Sequence, residues 1–222
     1  MKFMYQAVLF DMDGVLLNTE EMTYEIWRDF LWDQEGYHLP IEEFSKIAGA
    51  PPQVFNQFIA EELPGDPDRL RAHWGQEVGK RILRGQIPTV PGYDALMTFL
   101  TEYPGKKALV TSNGGEWANG YRSLFRFDAI LDGVFTGNMV VQRKPYPDLY
   151  NLACQTLKVD PQECLAVEDS VSGICAAREA GIAVLWMQGI STVPEKMQRS
   201  CVDTVRDLWD VRAYLERELN RK

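Results

Sequence analysis

Short apolar runs recur along this sequence and alternate with segments of helical periodicity. Continuous runs of this kind are typical of strands buried on both faces of a parallel sheet. They are AVLF (Ala7 to Phe10), KALVT (Lys107 to Thr111), CLAVE (Cys164 to Glu168) and IAVLWM (Ile182 to Met187), and TVRDLWDVRAYLEREL predicts a last short strand and a closing helix. Between the runs, SVSGICAAREAG predicts a helix from a Ser170 cap to a Gly181 cap. This alternation predicts an α/β fold with a Rossmann-like parallel sheet core and helices on both faces.

One long segment after the first run lacks a convincing strand pattern. Within residues 19–87 apolar residues recur at helical spacing, and Pro and Gly residues divide the segment. We expect a small α-helical domain here, inserted into a core formed by residues 1–18 and 88–222. The face formed by Trp27, Phe30 and Leu31 is expected to be the hydrophobic core of the insert.

Composition and charge limit the classes of partner. The 222 residues include 45% hydrophobic residues and carry a formal net charge of -9, which opposes binding to nucleic acid or to an anionic membrane. A small molecule is the expected partner, and no obligate protein partner is implied. The sequence shows neither a signal peptide nor an apolar stretch that could span a bilayer, so we expect a cytoplasmic protein. The four cysteines, which lie apart among apolar neighbours, are expected to be buried free thiols.

Polar side chains follow several of the predicted strands at the point where each strand ends. Because the carboxyl ends of parallel strands lie at one edge of the sheet, these side chains are expected to converge. They are Asp11 and Asp13, Thr111, Ser112 and Asn113, Lys144 before a helix, and Glu168 and Asp169. A solvated turn at Asp13-Gly14 is the alternative for the first pair. That alternative leaves the other polar residues at the same edge unexplained.

A converging group of carboxylates needs a counter-charge, because several cannot all stay ionised side by side. A hard divalent cation such as Mg²⁺ supplies it. Lys144, together with donors of Thr111 or Asn113, would neutralise the oxygens of a transferring phosphoryl group. Asp11 is then a candidate nucleophile. The two histidines of the chain argue against a histidine-rich metal site or a histidine-centred triad.

Four ordered motifs resemble those of a known family. DMDGVLLNT, LVTSN, RKPYPDLY and AVEDSVSGICAAREAG, within about Val8 to Met187, resemble the signature motifs of the haloacid dehalogenase superfamily. The resemblance is to the branch with a helical cap after the first motif, which includes beta-phosphoglucomutase and many small-molecule phosphatases. It implies that the chain is a Mg²⁺-dependent phosphatase, that a small phosphorylated metabolite such as a sugar phosphate is hydrolysed through an aspartyl-phosphate intermediate, and that residues 19–87 are the cap.

The resemblance also implies roles for the acidic residues. Asp11 would be the nucleophile, and Asp13 the general acid that protonates the leaving alcohol and later activates water. The side chains of Asp11 and Asp169 and the backbone carbonyl of Asp13 would ligate Mg²⁺. Glu168 would either ligate the ion directly or hold a water bound to it.

The phosphate-binding residues implied by the resemblance follow the second motif and open the third. Thr111 best matches the phosphate-binding hydroxyl, although a shift by one residue puts Ser112 there. Asn113 is a further candidate donor. Lys144 would pair with both the phosphate and Asp11.

Departures from the patterns within the superfamily favour a hydrolase. Asp13 is present here, whereas dehalogenases and phosphonatases replace it, and this favours phosphate-ester chemistry. The beta-phosphoglucomutase pattern has a histidine after the first motif and an arginine in the cap loop, where this chain has Thr23 and residues 49–52. Neither can hold a second phosphate. Asn18 stands where the family pattern has an aspartate before the threonine, and this difference affects only a secondary hydrogen bond. A sugar phosphomutase of the beta-phosphoglucomutase type is the alternative to a hydrolase.

The cap is expected to select the substrate, because it closes over the core and excludes water. Candidate substrate contacts are Thr19, Gly49 and Trp117 and the cations Lys46, Arg69, Arg71, Lys80 and Arg84. Each cation has the competing interpretation of a solvated helix face, and Trp117 that of packing on Tyr121.

A receiver-like phospho-switch without enzymatic activity is a more distant alternative. Receivers also place an acidic pair, a Thr or Ser and a Lys at sheet edges. They lack a helical insert, however, and their phosphorylated aspartate does not follow the first strand. The identity of the substrate and the oligomeric state stay open at this point.

Overall fold

Six parallel strands form one sheet in the computed structural model, which describes residues 5–220 except for the side chain of Glu116. In chain order the strands are β1 Ala7–Phe10, β2 Lys106–Thr111, β3 Gly133–Thr136, β4 Cys164–Glu168, β5 Ala183–Met187 and β6 Asp203–Val205. Their order across the sheet is β3-β2-β1-β4-β5-β6. The predicted α/β fold with a Rossmann-like parallel sheet is confirmed.

The helices outside the segment between β1 and β2 cover both faces of the sheet. They are α5 Tyr93–Glu102, α6 Gly115–Phe125, α7 Asp148–Leu157, α8 Val171–Glu179, α9 Glu195–Gln198 and α10 Leu208–Leu219. Val8 and Phe10 lie in one hydrophobic cluster with residues of α5 and α10, whereas Ala7 and Leu9 lie in a second cluster with residues of α7 and α8. Successive side chains of β1 thus point to opposite faces, and both faces are buried.

Each apolar run noted in the sequence is a strand, with ends that differ by at most one residue, and the last short strand is β6. No pattern in the sequence predicts β3. Its four residues, GVFT, contain a glycine and are too short to show a pattern. They are ordered as a strand by pairing with β2, where Phe135 lies opposite Val110. The predicted cap of α8 is present, since Ser170 Oγ accepts a hydrogen bond from the backbone N–H of Gly173 at 3.1 Å.

Four helices lie between β1 and β2. They are α1 Thr19–Glu35, α2 Ile41–Phe44, α3 Pro52–Glu61 and α4 Pro67–Leu83. Trp27 is 1% exposed, and its ring lies 5.6 Å from the ring of Phe44 and 4.9 Å from that of Phe55. Leu31 is buried as well, and Phe30 packs partly buried against His73. The aromatic face of α1 is therefore the centre of this helical segment.

The four cysteines differ in their burial. All four cysteines are free, but Cys175 and Cys201 are only half-buried, so the expectation of burial is right for Cys154 and Cys164 and wrong for the other two.

Among the described residues, no helix combines the length and the apolar character needed to cross a membrane.

Candidate active site

The position of Asp11 follows from the register of the central strand. Phe10, the last residue of β1, lies opposite Leu109 of β2 and Val167 of β4. Asp11 therefore leaves the sheet between these two strands, and its backbone N–H donates to Val167 O at 3.0 Å. Its carboxylate is 11% exposed. A buried strand thus ends on an acidic group that stays open at one side.

Lys144 is the counter-charge at this edge. Its Nζ donates to Asp11 Oδ1 at 2.7 Å, to Glu168 Oε1 at 2.6 Å and to Val110 O at 2.8 Å. Burial alone would lower the pKa of this ammonium group, but the charges of Asp11 and Glu168 raise the pKa above its usual value. Lys144 is therefore charged, and its three N–H donors are all used.

Three carboxylates form a cluster that fits a metal ion. Oxygens of Asp11, Glu168 and Asp169 lie within 4.8 Å of one another, and all three residues are buried. Glu168 Oε2 and Asp169 Oδ2 have no hydrogen-bond partner among residues 5–220. Burial and the charge of Asp11 raise the pKa of Asp169 well above its usual value. Burial also raises the pKa of Glu168 to about 7, although Lys144 opposes the shift. Unpartnered carboxylate oxygens at this spacing suit a hard cation such as Mg²⁺.

Asp13 lies apart from that cluster and has different partners. Its Oδ1 accepts from Thr19 Oγ1 at 2.6 Å, and its Oδ2 accepts from Asn113 Nδ2 at 2.8 Å and from Thr111 Oγ1 at 3.5 Å. Burial, followed by the charge of Asp11, raises the pKa of Asp13 to about 6. A carboxyl group that exchanges its proton near neutral pH is suited to general acid and base chemistry.

The two hydroxyls that compete for the phosphate-binding role are in different states. Thr111 Oγ1 accepts from the backbone N–H of Asn113 at 3.0 Å and donates to Asp13. Ser112 Oγ is buried and has no partner in the described part of the chain. Both residues line the cavity above Asp11. Within the described residues the Ser112 hydroxyl therefore has no protein partner, whereas the Thr111 hydroxyl contacts Asp13.

Two glycines allow the carboxylates to take these positions. A Cβ atom on Gly14, whose φ is +73°, would lie 2.0 Å from Asp169 Oδ2. A Cβ on Gly173 would lie 1.9 Å from Glu168 Oε2. Both distances are far below a van der Waals contact, so any larger side chain would displace an acidic group.

A cavity of about 470 Å³ opens above the acidic residues, between the sheet edge and the helices α1, α3 and α4. Of the substrate contacts expected from the sequence, Thr19, Gly49, Trp117 and Arg71 line it. Lys46 is exposed and is not among the described residues that line the cavity, and the same absence from the lining holds for Arg69, Lys80 and Arg84. The expected contact of these four cations with a substrate therefore has no geometric support.

The family assignment follows from a comparison over most of the chain. The family model for the haloacid dehalogenase-like hydrolases matches residues 8–187. The chain belongs to the haloacid dehalogenase-like hydrolase family. The resemblance expected from the four motifs is thereby confirmed.

Relatives of this chain include proteins named as phosphatases. The phosphorylated carbohydrates phosphatase of Thermotoga maritima is 31% identical over 183 residues, which cover 80% of this chain and 82% of the relative. The fructose-1-phosphate phosphatase of Escherichia coli is 29% identical over 181 residues, which cover 80% and 94% of the two chains.

Solved structures of the same fold include a HAD family hydrolase from Deinococcus radiodurans R1 with bound phosphate and sodium. Its TM-score is 0.79 at 21% identity, and the match covers 100% of both chains. CbbY from Rhodobacter sphaeroides in complex with phosphate matches with a TM-score of 0.73 at 22% identity, over 93% of this chain and 96% of that one. At these identities the likeness concerns the fold alone.

Three side chains at the site of this haloacid dehalogenase-like hydrolase were missed in the sequence analysis. Glu20 Oε1 accepts from the backbone N–H of Gly49 at 3.2 Å, and burial raises the pKa of Glu20 to about 8. The hydroxyl of Tyr150 donates to Glu168 Oε1. Arg143 lines the cavity, with Nε donating to Gly137 O at 2.9 Å. Glu20 and Arg143 stand beside predicted residues in the chain, and Tyr150 is the last residue of the RKPYPDLY motif, so each position has a local signal.

Proposed function

We propose that this chain is a Mg²⁺-dependent phosphatase that forms a phosphorylated intermediate on Asp11. Membership of a hydrolase family, together with phosphatase relatives, makes it a phosphomonoester hydrolase of small phosphorylated compounds. One observation supports the proposed Mg²⁺ dependence and the proposed phosphorylation of Asp11. Asp11 shares its buried cluster with two carboxylates that hold unpartnered oxygens, while Lys144 neutralises it from the other side.

In the first half of the reaction a carboxylate oxygen of Asp11 attacks phosphorus. The new bond joins Asp11 to phosphorus, the bond from phosphorus to the ester oxygen breaks, and Asp13 donates its proton to the leaving alcohol. The pKa of Asp13, raised by burial to about 6, suits this donation. In the second half Asp13 accepts a proton from water, the water oxygen attacks phosphorus, and inorganic phosphate leaves with Asp11 restored.

Asp11, Glu168 and Asp169 would hold the Mg²⁺, with the Asp13 carbonyl as a further ligand. When bound, the ion supplies positive charge that offsets the carboxylates and the incoming phosphate. Lys144 keeps the Asp11 carboxylate in place. Ser112 or Thr111 and Asn113 would donate to the phosphate oxygens, since all three line the cavity.

Residues 19–87 would act as the cap that selects the leaving group. Thr23 already accepts a hydrogen bond from Trp74 Nε1 at 3.1 Å, and Arg71 is paired with Asp68 at 3.0 Å. Position 23 is an uncharged threonine and residues 49–52 include no arginine or histidine, which supports a hydrolase over a sugar phosphomutase. A receiver-like switch stays the distant alternative, and repeated turnover distinguishes it from an enzyme.

The test is release of inorganic phosphate from a panel of phosphomonoesters with Mg²⁺, including beta-glucose 1-phosphate with a coupled assay for glucose 6-phosphate. We expect many phosphates released per chain, loss of the activity in EDTA, and its return with Mg²⁺. Asp11→Asn, which is nearly isosteric, should abolish release while the unfolding transition stays in place. Isomerised sugar phosphate without release would instead identify a mutase, and substantial activity of Asp11→Asn would rule out the assigned nucleophile.

A further inference from the structure

The wall of the cavity opposite the acidic residues is formed by aromatic side chains. They come from helices far apart in the chain and are Trp27, Phe55, Trp74, Trp117 and Tyr121. The ring centroids of Trp74 and Trp117 lie 5.6 Å apart with an interplanar angle of 63°. This aromatic wall presents flat apolar surface at the place where a leaving group would sit.

Some polar groups on the same side of the cavity have protein partners. The Thr23 hydroxyl accepts from Trp74 Nε1. Arg71 Nε donates to Asn56 Oδ1 at 3.4 Å, and Arg71 also pairs with Asp68. Because aromatic rings form this wall, a leaving group with many hydroxyls would bury several of them against apolar surface, which is unfavourable.

Trp27 supplies one donor that is not engaged. It is 1% exposed, it lines the cavity, and its indole N–H has no acceptor among the described residues. A buried N–H without a partner is rare in folded proteins. A hydrogen-bond acceptor on a ligand in the cavity would complete it.

We propose that the preferred substrate is a phosphomonoester whose leaving alcohol carries a flat, uncharged aromatic ring with a hydrogen-bond acceptor. The ring packs on the aromatic wall, and its acceptor receives the N–H of Trp27. This inference rests on the proposed phosphatase function and specifies its substrate class. Aromatic esters are expected to be better substrates than polyhydroxylated sugar phosphates.

The first experiment compares two esters of primary alcohols, 2-phenylethyl phosphate and glucose 6-phosphate, with the Mg²⁺-loaded enzyme. We expect kcat/KM for 2-phenylethyl phosphate to be higher by at least about tenfold. If glucose 6-phosphate is hydrolysed equally well or better, the inference is overturned while the phosphatase function stands. If no ester of the whole panel releases phosphate, the proposed function itself fails.

Variants of the aromatic wall test the packing. Trp117→Leu should lower kcat/KM for 2-phenylethyl phosphate by about two- to tenfold and change the value for glucose 6-phosphate much less. Trp32→Leu is the matched control, since Trp32 is half-exposed and stacks on His38 away from the cavity. Equal losses with both esters in Trp117→Leu, or equal losses in the two variants, would contradict the proposed contact.

The donor of Trp27 is tested by the three pyridylethyl phosphates, which place a ring nitrogen at different positions. The enzyme should prefer at least one of them to 2-phenylethyl phosphate. Trp27→Phe keeps a ring and removes the N–H, so this preference should disappear while 2-phenylethyl phosphate is still hydrolysed. A thermal unfolding curve of the variant shows whether it is folded. A preference that survives in folded Trp27→Phe, or no preference in the parent enzyme, would overturn the assignment of this donor.

Discussion

At the scale of single residues, the environment separates two aspartates that stand two positions apart in the chain. Asp11 accepts a charge-assisted hydrogen bond from the Lys144 ammonium group. Asp13 accepts from the neutral donors Thr19 and Asn113, and its burial beside Asp11 raises its pKa to about 6. The proposed roles of nucleophile for Asp11 and acid for Asp13 therefore follow from the difference between their partners.

Replacement of Gly173 tests how closely the acidic cluster is packed. In Gly173→Ala the new Cβ would lie 1.9 Å from Glu168 Oε2, so Glu168 must move away from Lys144. We expect kcat to fall by about a hundredfold, because small displacements at a reacting centre are costly. Steady-state phosphate release measures this effect.

Gly79→Ala is the control for the same substitution in a helix. A Cβ on Gly79 would meet Trp117 at 4.0 Å, an ordinary contact. This variant should keep its activity and gain about 0.5–1 kcal/mol in the free energy of unfolding. Unchanged kcat in Gly173→Ala would show that Glu168 tolerates displacement and would contradict its proposed role in holding a metal ion.

At the scale of the secondary-structure elements, the order of the strands assembles the site. Because β1 lies between β2 and β4, the residues at the carboxyl ends of these three strands and directly after them meet at one edge. Asp11, Thr111 and Asp169 are brought together in this way although they are distant in the chain. Helices then hold the strands in place from both faces, with α10 packed on α5 through buried residues that include Leu208 and Leu215.

The N-terminal cap of α10 should contribute to stability without affecting catalysis. Asp207 accepts from the backbone N–H of Asp210 at 2.9 Å. Asp207→Ala should lower the free energy of unfolding by about 1 kcal/mol, while Asp207→Asn, which retains an acceptor oxygen, should lose less. Urea unfolding of the three proteins measures the difference. A change in kcat of Asp207→Ala would show an unexpected coupling between α10 and the site.

At the scale of the whole molecule, the helical segment is joined to the sheet edge at a few polar contacts. Ser172 Oγ, in the first turn of α8, donates to Gly49 O at 2.6 Å, and the backbone N–H of Thr192 donates to Ser45 O at 2.9 Å. Glu20 reaches the same loop through the N–H of Gly49. The charges of Asp13 and Asp11 act on its carboxyl group. The protonation of Glu20 therefore affects the free energy of the contact between the helical segment and the sheet edge.

The pH dependence of stability should report on Glu20. Burial, and next the charge of Asp13, raises the pKa of Glu20 from 4.5 to about 8. Between these values the folded protein keeps a proton that the unfolded chain has released, so stability falls as pH rises, by at most about 1.4 kcal/mol per pH unit. Glu20→Gln lacks this contribution. Its stability relative to the parent should therefore grow from pH 5 to pH 8 in urea unfolding with EDTA present, and parallel curves would contradict the raised pKa.

The class of fold and most candidate site residues are readable from the sequence alone. Buried strands and acidic strand ends leave a local pattern, because a parallel strand is apolar throughout and a metal or phosphate site needs charged groups at its end. Asp11, Asp13, Glu168 and Asp169 are predicted in this way, whereas Lys144 is predicted from its position before a helix. The pattern of buried strands does not include β3, whose four residues become a strand only through pairing with β2.

Only the tertiary structure decided which of those residues touch and what lies opposite them. Gly173 beside Glu168 and Trp27 at the cavity are contacts that no local spacing encodes. The same holds for the pKa of Glu20, which depends on its burial and on its distance from Asp13 and Asp11. Periodicity records how a residue relates to its near neighbours in the chain. Packing and electrostatics depend on separations in space, and these exist only once the helices between β1 and β2 have closed over the sheet edge.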